Sequence, residues 1–96
     1  MRTDKRRPAL VVQTDKLREP RVQTFLVVPL TSRLHLAELP ANVRLPRRVT
    51  GLSRDSVANV YDVQKVMRTD FVERVATLPA PELAEVAAGL RLVLDL

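Results

Sequence analysis

Little in this chain is equipped for acid–base or covalent chemistry, and that directs attention to its arginines and hydroxyls. It has no cysteine and a single histidine, His35. Thiolate nucleophiles, disulfide scaffolds, the usual zinc ligand sets and paired-histidine phosphate chemistry are therefore excluded. A lone histidine in a loop-like segment is ordinarily a surface residue. What the chain has in quantity is cationic side chains, 16 Lys and Arg against 11 Asp and Glu. A guanidinium donates a planar pair of hydrogen bonds to phosphate oxygens and stays charged at any physiological pH. Arg7 stands immediately before Pro8 and an apolar run, and Thr31 closes another apolar run. The ends of stiff strands are where sites are usually placed, so Arg7 could hold a phosphate and Thr31 could donate a hydroxyl to it. Taken alone, each has a plainer reading, Arg7 as a solvated flank and Thr31 as a turn residue.

Those two positions need a framework. Residues 8–13 form a short Val-rich run led by proline, where a missing N–H is tolerated, and read as a strand. After a charged loop over 14–21, residues 22–30 are apolar enough in their middle to be a strand buried on both faces, at the centre of a sheet. Asn42-Val43-Arg44-Leu45-Pro46 alternates as a half-buried strand does, and Pro40 and Pro46 confine it to an edge. Gly51 supplies a turn, and residues 56–63, extending as far as Val66, read as a further alternating strand. Four or five closely spaced strands predict a small barrel or strongly curled sheet. The last third changes period. Asp70 and Glu73 resemble a capping box opening a short helix that Pro79 ends, and Leu83, Val86, Ala87, Leu90 and Leu94 mark one buried face of a helix beginning near Pro81. With 96 residues and 3% aromatics, the expectation is one domain over residues 1–96 with a core of Val, Leu and Ala.

A net charge of +5 and a pI near 10.7 point to an anionic partner, and leave RNA, DNA, an acidic protein segment and an anionic membrane all open. Cations gather in residues 1–7 and again at Arg44, Arg47, Arg48 and Arg54, whereas residues 70–96 hold only two arginines, Arg74 and Arg91, among five carboxylates. No apolar run approaches the roughly 20 residues needed to span a bilayer. Without a membrane span or a small-residue cleavage site, a cytoplasmic location is expected.

Five ordered segments carry a resemblance. Arg6-Arg7-Pro8-Ala9-Leu10-Val11-Val12 resembles the R-P-x-L-V-V strand of MazF/PemK toxins, and Val27-Val28-Pro29-Leu30-Thr31-Ser32 resembles their V-V-P-L-T-S strand end. Asn42-Val43 with Leu45-Pro46, then Gly51-Leu52-Ser53-Arg54-Asp55-Ser56-Val57, and finally the segment from Gly89 to Leu96, are similar to later segments of that family in the same order. The match runs from about Lys5 to the end of the chain. Many members carry Q-I-R after the D-S-V strand, where ungapped alignment puts Asp62-Val63-Gln64 here.

The resemblance implies a mainly β fold with a C-terminal helix, an SH3-like small barrel of the CcdB/PemK kind, lacking the family's usual first strand. It also implies a homodimeric endoribonuclease toxin, a sequence-selective enzyme that cuts single-stranded RNA without metal or other cofactor and is silenced by an acidic MazE-like antitoxin. RNA can be cut by its own 2′-hydroxyl, so such an enzyme holds in-line geometry and stabilises the charge that develops on phosphorus. By resemblance the catalytic pair falls on Arg7 and Thr31. RNA contacts are expected from Lys5, Arg6, Ser32, Arg33 and Arg44, with Tyr61 as the stacking residue. The alternatives are a CcdB-type toxin that binds DNA gyrase, and an inactive truncated toxin that only binds antitoxin.

Overall fold

The apolar run expected at the centre of the sheet becomes its axis. The computed structural model describes residues 7–12, 20–70 and 76–96. Strand β1 covers Ala9–Val11 and β2 covers Thr24–Thr31, followed by a 3-10 turn at Leu34–Glu38. Then come β3 at Val43–Leu45, a single helical turn α1 at Arg47–Thr50, β4 at Ser56–Ala58, β5 at Gln64–Met67 and the long helix α2 at Ala80–Leu94. β2 pairs antiparallel with β1, β4 and β5, and β3 pairs with β4. Val27 and Val28 are buried within β2, while Leu26 is 46% exposed, so burial on both faces holds only over its middle.

Pro29 shows how one strand serves three neighbours. Val12 N–H donates to the Leu26 carbonyl and Leu30 N–H to the Pro8 carbonyl, so the even-numbered residues of β2 face β1. Pro29 therefore faces the opposite edge, between the last pair with β5, Val27 with Gln64, and the first pair with β4, Leu30 with Ala58. Its missing N–H interrupts no ladder there, and its carbonyl accepts from Asn59 N–H at 3.1 Å.

Four expectations change. The strand read over 56–63 is two strands joined by a turn. Asn59 breaks it, because its side-chain oxygen accepts from Tyr61 N–H at 3.3 Å and its carbonyl accepts from Asp62 N–H at 3.2 Å, the local bonding with which Asn competes against a ladder. The sheet is also open among the described residues. Its order is β1-β2-β4-β3 with β5 beside β2, and β1 and β3, three residues each, end it without the mutual pairing that a closed barrel needs. Asp70 is the last residue of a 3-10 turn at Arg68–Asp70, and the short helix expected after it falls on residues 71–75, Phe71 and Glu73 among them, which lie outside the described residues. Pro79 stands at the N-cap of α2 with Pro81 in the first turn, a place where the absent N–H has no intrahelical partner to lose.

The fourth change concerns which face of α2 is inward. Val86 and Gly89 are its buried residues, with Leu90 and Val93 packed against the core. Leu83 and Leu94 are instead 42% and 55% exposed. The helix seats at Gly89, where a Cβ would lie 2.3 Å from the Ala41 carbonyl oxygen. Val86 and Leu90 of the stripe that the periodicity singled out are inward as expected, and its two end leucines, Leu83 and Leu94, are not. The core beneath is Val28, Val43, Leu45, Ala58, Val60 and Val86, aliphatic as the composition requires. Arg44 lies between buried Val43 and Leu45 and points outward, as the alternation predicts. Among the described residues no helix is long and apolar enough to cross a membrane.

Candidate active site

Strand register brings Arg7 and Thr31 to the same end of the sheet. The β1–β2 pairs are Ala9 with Pro29, Leu10 with Val28 and Val11 with Val27, and the hydrogen bond from Leu30 N–H to the Pro8 carbonyl, 3.1 Å, carries the pairing outward. Arg7 directly precedes this paired end and Thr31 directly follows Leu30 on the neighbouring strand, so the two residues stand at the same end of the β1–β2 pair. The other edge of Thr31 is held by Val57 of β4. Thr31 thus sits on a strand end fixed from both sides, while Arg7 leads into a proline that stiffens its attachment.

Both residues line a cleft of about 580 Å³, together with Ser32, Arg33, Ser53, Arg54 and Ser56, over a floor that includes Pro8, Pro29, Leu30 and Leu52. Three arginines and four hydroxyl-bearing residues line it, and the lining contains no carboxylate. Such a wall attracts anions and supplies donors in every direction. The Thr31 hydroxyl accepts from Arg33 N–H at 3.2 Å, which uses a lone pair and leaves its own hydrogen as a donor. Ser56 is buried and belongs to the cleft wall, whereas Ser32, Arg33 and Arg54 are exposed. No imidazole lines the cleft, and His35 lies exposed in the 3-10 turn at Leu34–Glu38. Among the described residues no group of three His, Asp or Glu side chains is arranged to hold a metal ion.

A second recess, about 470 Å³, adjoins the first and shares Ser32, Ser53 and Arg54 with it, adding Leu34, Arg47 and Asp55. Asp55 organises this side. One carboxylate oxygen accepts from the backbone N–H of Arg47 at 2.9 Å, and the other from the Arg44 guanidinium at 3.2 Å. The Arg47 backbone bond, then the Arg44 side-chain bond, hold the Asp55 carboxyl below the usual carboxylate range.

The structure brings together some of the residues singled out in the sequence and separates others. Arg7, Thr31, Ser32 and Arg33 share the cleft. Arg44 is not part of its lining and is paired with Asp55. Tyr61 is also outside the lining. It is about half exposed on the turn after Asn59, and its hydroxyl donates to the Pro40 carbonyl. Lys5 and Arg6 lie outside the described residues. Of Ser53 and Arg54, which line both cavities, the first was not picked out from the sequence and the second was read there only as part of the mid-chain cluster of cations. They stand in the Gly51-Leu52-Ser53-Arg54-Asp55-Ser56-Val57 segment, and the signal was the placement of hydroxyl and guanidinium between a glycine turn and a strand.

Comparison with known proteins adds to this geometry. The sequence profile of the family described as "PemK-like, MazF-like toxin of type II toxin-antitoxin system" matches residues 2–94. "Endoribonuclease MazF2" of Mycobacterium bovis is 46% identical over 92 residues, covering 96% of this chain and 81% of that protein. "Endoribonuclease MazF6" of Mycobacterium tuberculosis is similar to the same degree. Among solved structures, "Mycobacterium tuberculosis toxin MazF-mt6" superposes with a TM-score of 0.82 at 26% identity, over 98% of this chain and 91% of that one.

Proposed function

Because this chain belongs to the PemK/MazF family of type II toxin–antitoxin toxins, we propose that it is an endoribonuclease toxin that cuts single-stranded RNA at the Arg7–Thr31 cleft. What supports the reading is a cleft whose lining holds Arg7 and Thr31 together with Arg33 and Arg54 and no carboxylate.

In this reading the substrate supplies the nucleophile. The 2′-oxygen attacks the adjacent phosphorus, the bond to the 5′-oxygen breaks, and the products are a 2′,3′-cyclic phosphate and a 5′-hydroxyl, with the proton of the 2′-hydroxyl lost and one gained by the leaving oxygen. Arg7 grips two non-bridging oxygens through its fork and Thr31 donates to one of them. Both interactions strengthen as charge builds on phosphorus, which is the condition for lowering the barrier rather than merely binding substrate. Arg33 and Arg54 hold flanking phosphates and fix the in-line geometry. No metal or cofactor takes part. The nuclease reading is preferred to gyrase binding because a gyrase-directed surface has no need of opposed arginine and hydroxyl groups in a cationic cleft, and because the curated relatives are named as endoribonucleases. The toxin acts in the cytoplasm as a homodimer, and its partner is an acidic antitoxin segment that occupies the same cationic cleft.

The test is cleavage of a single-stranded RNA by purified protein in EDTA, wild type against Arg7→Ala. Cutting that persists in EDTA and falls by about 100-fold or more in the variant, the loss typical of removing one transition-state donor, is the expected result. A wild type that cuts only when a divalent metal is restored, or an Arg7→Ala protein as active as wild type, would overturn it.

A further inference from the structure

Arg33 reaches the cleft from the first residue of an exposed turn, and what fixes that turn lies outside the cleft. We propose that Asn42 is a positioning residue for RNA binding: its carboxamide ties the 3-10 turn at Leu34–Glu38 to the corner after β4, and so holds Arg33 where it meets a phosphate. The proposal rests on the ribonuclease reading above and deepens it.

The turn has little of its own to hold it. None of its residues is buried and no side chain caps its N-terminus, and the bonds within a 3-10 turn sustain only short pieces. Arg33 is its N-cap residue and is exposed. Its N–H donates to the Thr31 hydroxyl at 3.2 Å, and its carbonyl accepts from Leu36 N–H at 3.1 Å. The direction in which Arg33 leaves β2 therefore depends on where Leu36 stands. Ordering a long exposed side chain on a phosphate costs conformational entropy, and a backbone fixed beforehand reduces that cost.

Asn42 fixes Leu36. Its amide nitrogen donates to the Leu36 carbonyl at 3.0 Å and to the Asn59 side-chain oxygen at 3.3 Å, and its own oxygen accepts from Val60 N–H at 2.9 Å. Val60 N–H can only donate, so it settles which end of the carboxamide is oxygen and leaves both hydrogens of the nitrogen for the two acceptors. The anchor is firm. Val60 is buried and belongs to the core, and Asn59 N–H donates to the carbonyl of Pro29 at 3.1 Å, on the floor of the cleft. Asn42 itself directly precedes β3, whose first residue, Val43, is also in the core. One carboxamide thus joins the turn that carries Arg33 to two places packed on the core. Aspartate has an oxygen for Val60 but no hydrogen for Leu36 when ionised, and alanine has neither.

The test measures binding of a single-stranded oligonucleotide with 2′-deoxy sugars, which is not cut, by fluorescence anisotropy at several salt concentrations, beside kcat/KM on the matching RNA and Tm by calorimetry. Asn42→Ala is expected to weaken binding by about threefold or more near 0.1 M salt and to flatten the slope of log K against log salt by about 0.5, most of the roughly 0.7 that one phosphate contact contributes. The double variant Arg33→Gln/Asn42→Ala is expected to bind within about twofold of Arg33→Gln alone, because changes that act through one group do not add. Asn42→Asp keeps the acceptor for Val60 and carries the test if Asn42→Ala folds poorly. The charge it adds is subtracted by making the same change in the Arg33→Gln background. A residue that only stabilises the fold lowers Tm and leaves the affinity and salt slope of the folded protein unchanged, and that result overturns the proposal. Losses that add in full when both residues are changed overturn it too. If the 2′-deoxy oligonucleotide follows the expected pattern while the RNA is not cut, the role of Asn42 stands and the nuclease reading is what fails.

Discussion

Thr31 combines a hydrogen bond to the backbone with the proposed contact to the substrate. Its oxygen accepts from Arg33 N–H at 3.2 Å, closing a turn that leads the chain away from β2, and the same contact orients the hydroxyl hydrogen elsewhere. A role in stabilising developing charge predicts a particular pattern of kinetics. Thr31→Val keeps the shape and the β-branch but removes the donor, and is expected to lower kcat by about 10- to 100-fold with little change in KM, since the lost interaction matters most in the transition state. Thr31→Ser retains the donor and keeps most of the activity. Single-turnover cleavage rates of the two variants check this, and a Thr31→Val protein with normal kcat and raised KM would reassign Thr31 to ground-state binding. Asp55 works differently at the same scale, organising Arg44 and the first residue of α1 so that Arg44, singled out from the sequence as an RNA contact, is engaged within the protein.

At the scale of elements, the seat of α2 on the sheet is decided by a residue with no side chain. Gly89 lies over the Ala41 carbonyl, and Ala41 itself holds a left-handed backbone with φ of 77°, which costs an alanine about 1 kcal/mol and aims its carbonyl at the helix. Gly89→Ala would normally help a helix by about 1 kcal/mol. Here a Cβ at 2.3 Å from a backbone oxygen forces the helix or the Ala41 turn to move, so the variant is expected to be less stable by about 1–3 kcal/mol, a loss of several degrees in Tm by calorimetry. A variant as stable as wild type would mean that α2 slides freely over that turn. This contact also explains what the sequence concealed. The axial strand, the alternating edge strand at Val43–Leu45 and the existence of the terminal helix were legible, because each has a hydrophobic period of its own. The inward face of that helix was legible at Val86 and Leu90 but not at its ends, because Gly89 adds nothing to a hydrophobic pattern while Leu83 and Leu94 add much. The break at Asn59 was hidden in the same way, since Asn, Tyr and Asp fit an alternating strand until the Asn side chain bonds its own backbone. The cleft was legible in its Arg7 and Thr31 through family resemblance, but Ser53 and Arg54 join it only once β4 has paired with the end of β2.

For the whole molecule, the question is how much of a net charge of +5 acts on the substrate. Charge alone would attract RNA to any face, yet the described cations are unequally committed: Arg44 is paired with Asp55, Arg68 lies over the Phe25 ring at 4.7 Å, and Arg7, Arg33 and Arg54 line the cleft. If those three carry the phosphate contacts, binding of a non-cleavable single strand releases about three counterions' worth of charge at roughly 0.7 per contact, and log K falls with log salt with a slope near −2. Affinity should then drop by about 20-fold between 50 and 200 mM monovalent salt. Arg54→Gln is expected to flatten the slope by about 0.7, whereas Arg44→Gln leaves it unchanged because that guanidinium already has a carboxylate partner. Titrations by fluorescence anisotropy at several salt concentrations measure all three slopes. A wild-type slope near zero would remove the cleft as a phosphate track, and a slope lost equally in both variants would mean that the Arg44–Asp55 pair opens to let Arg44 reach the RNA.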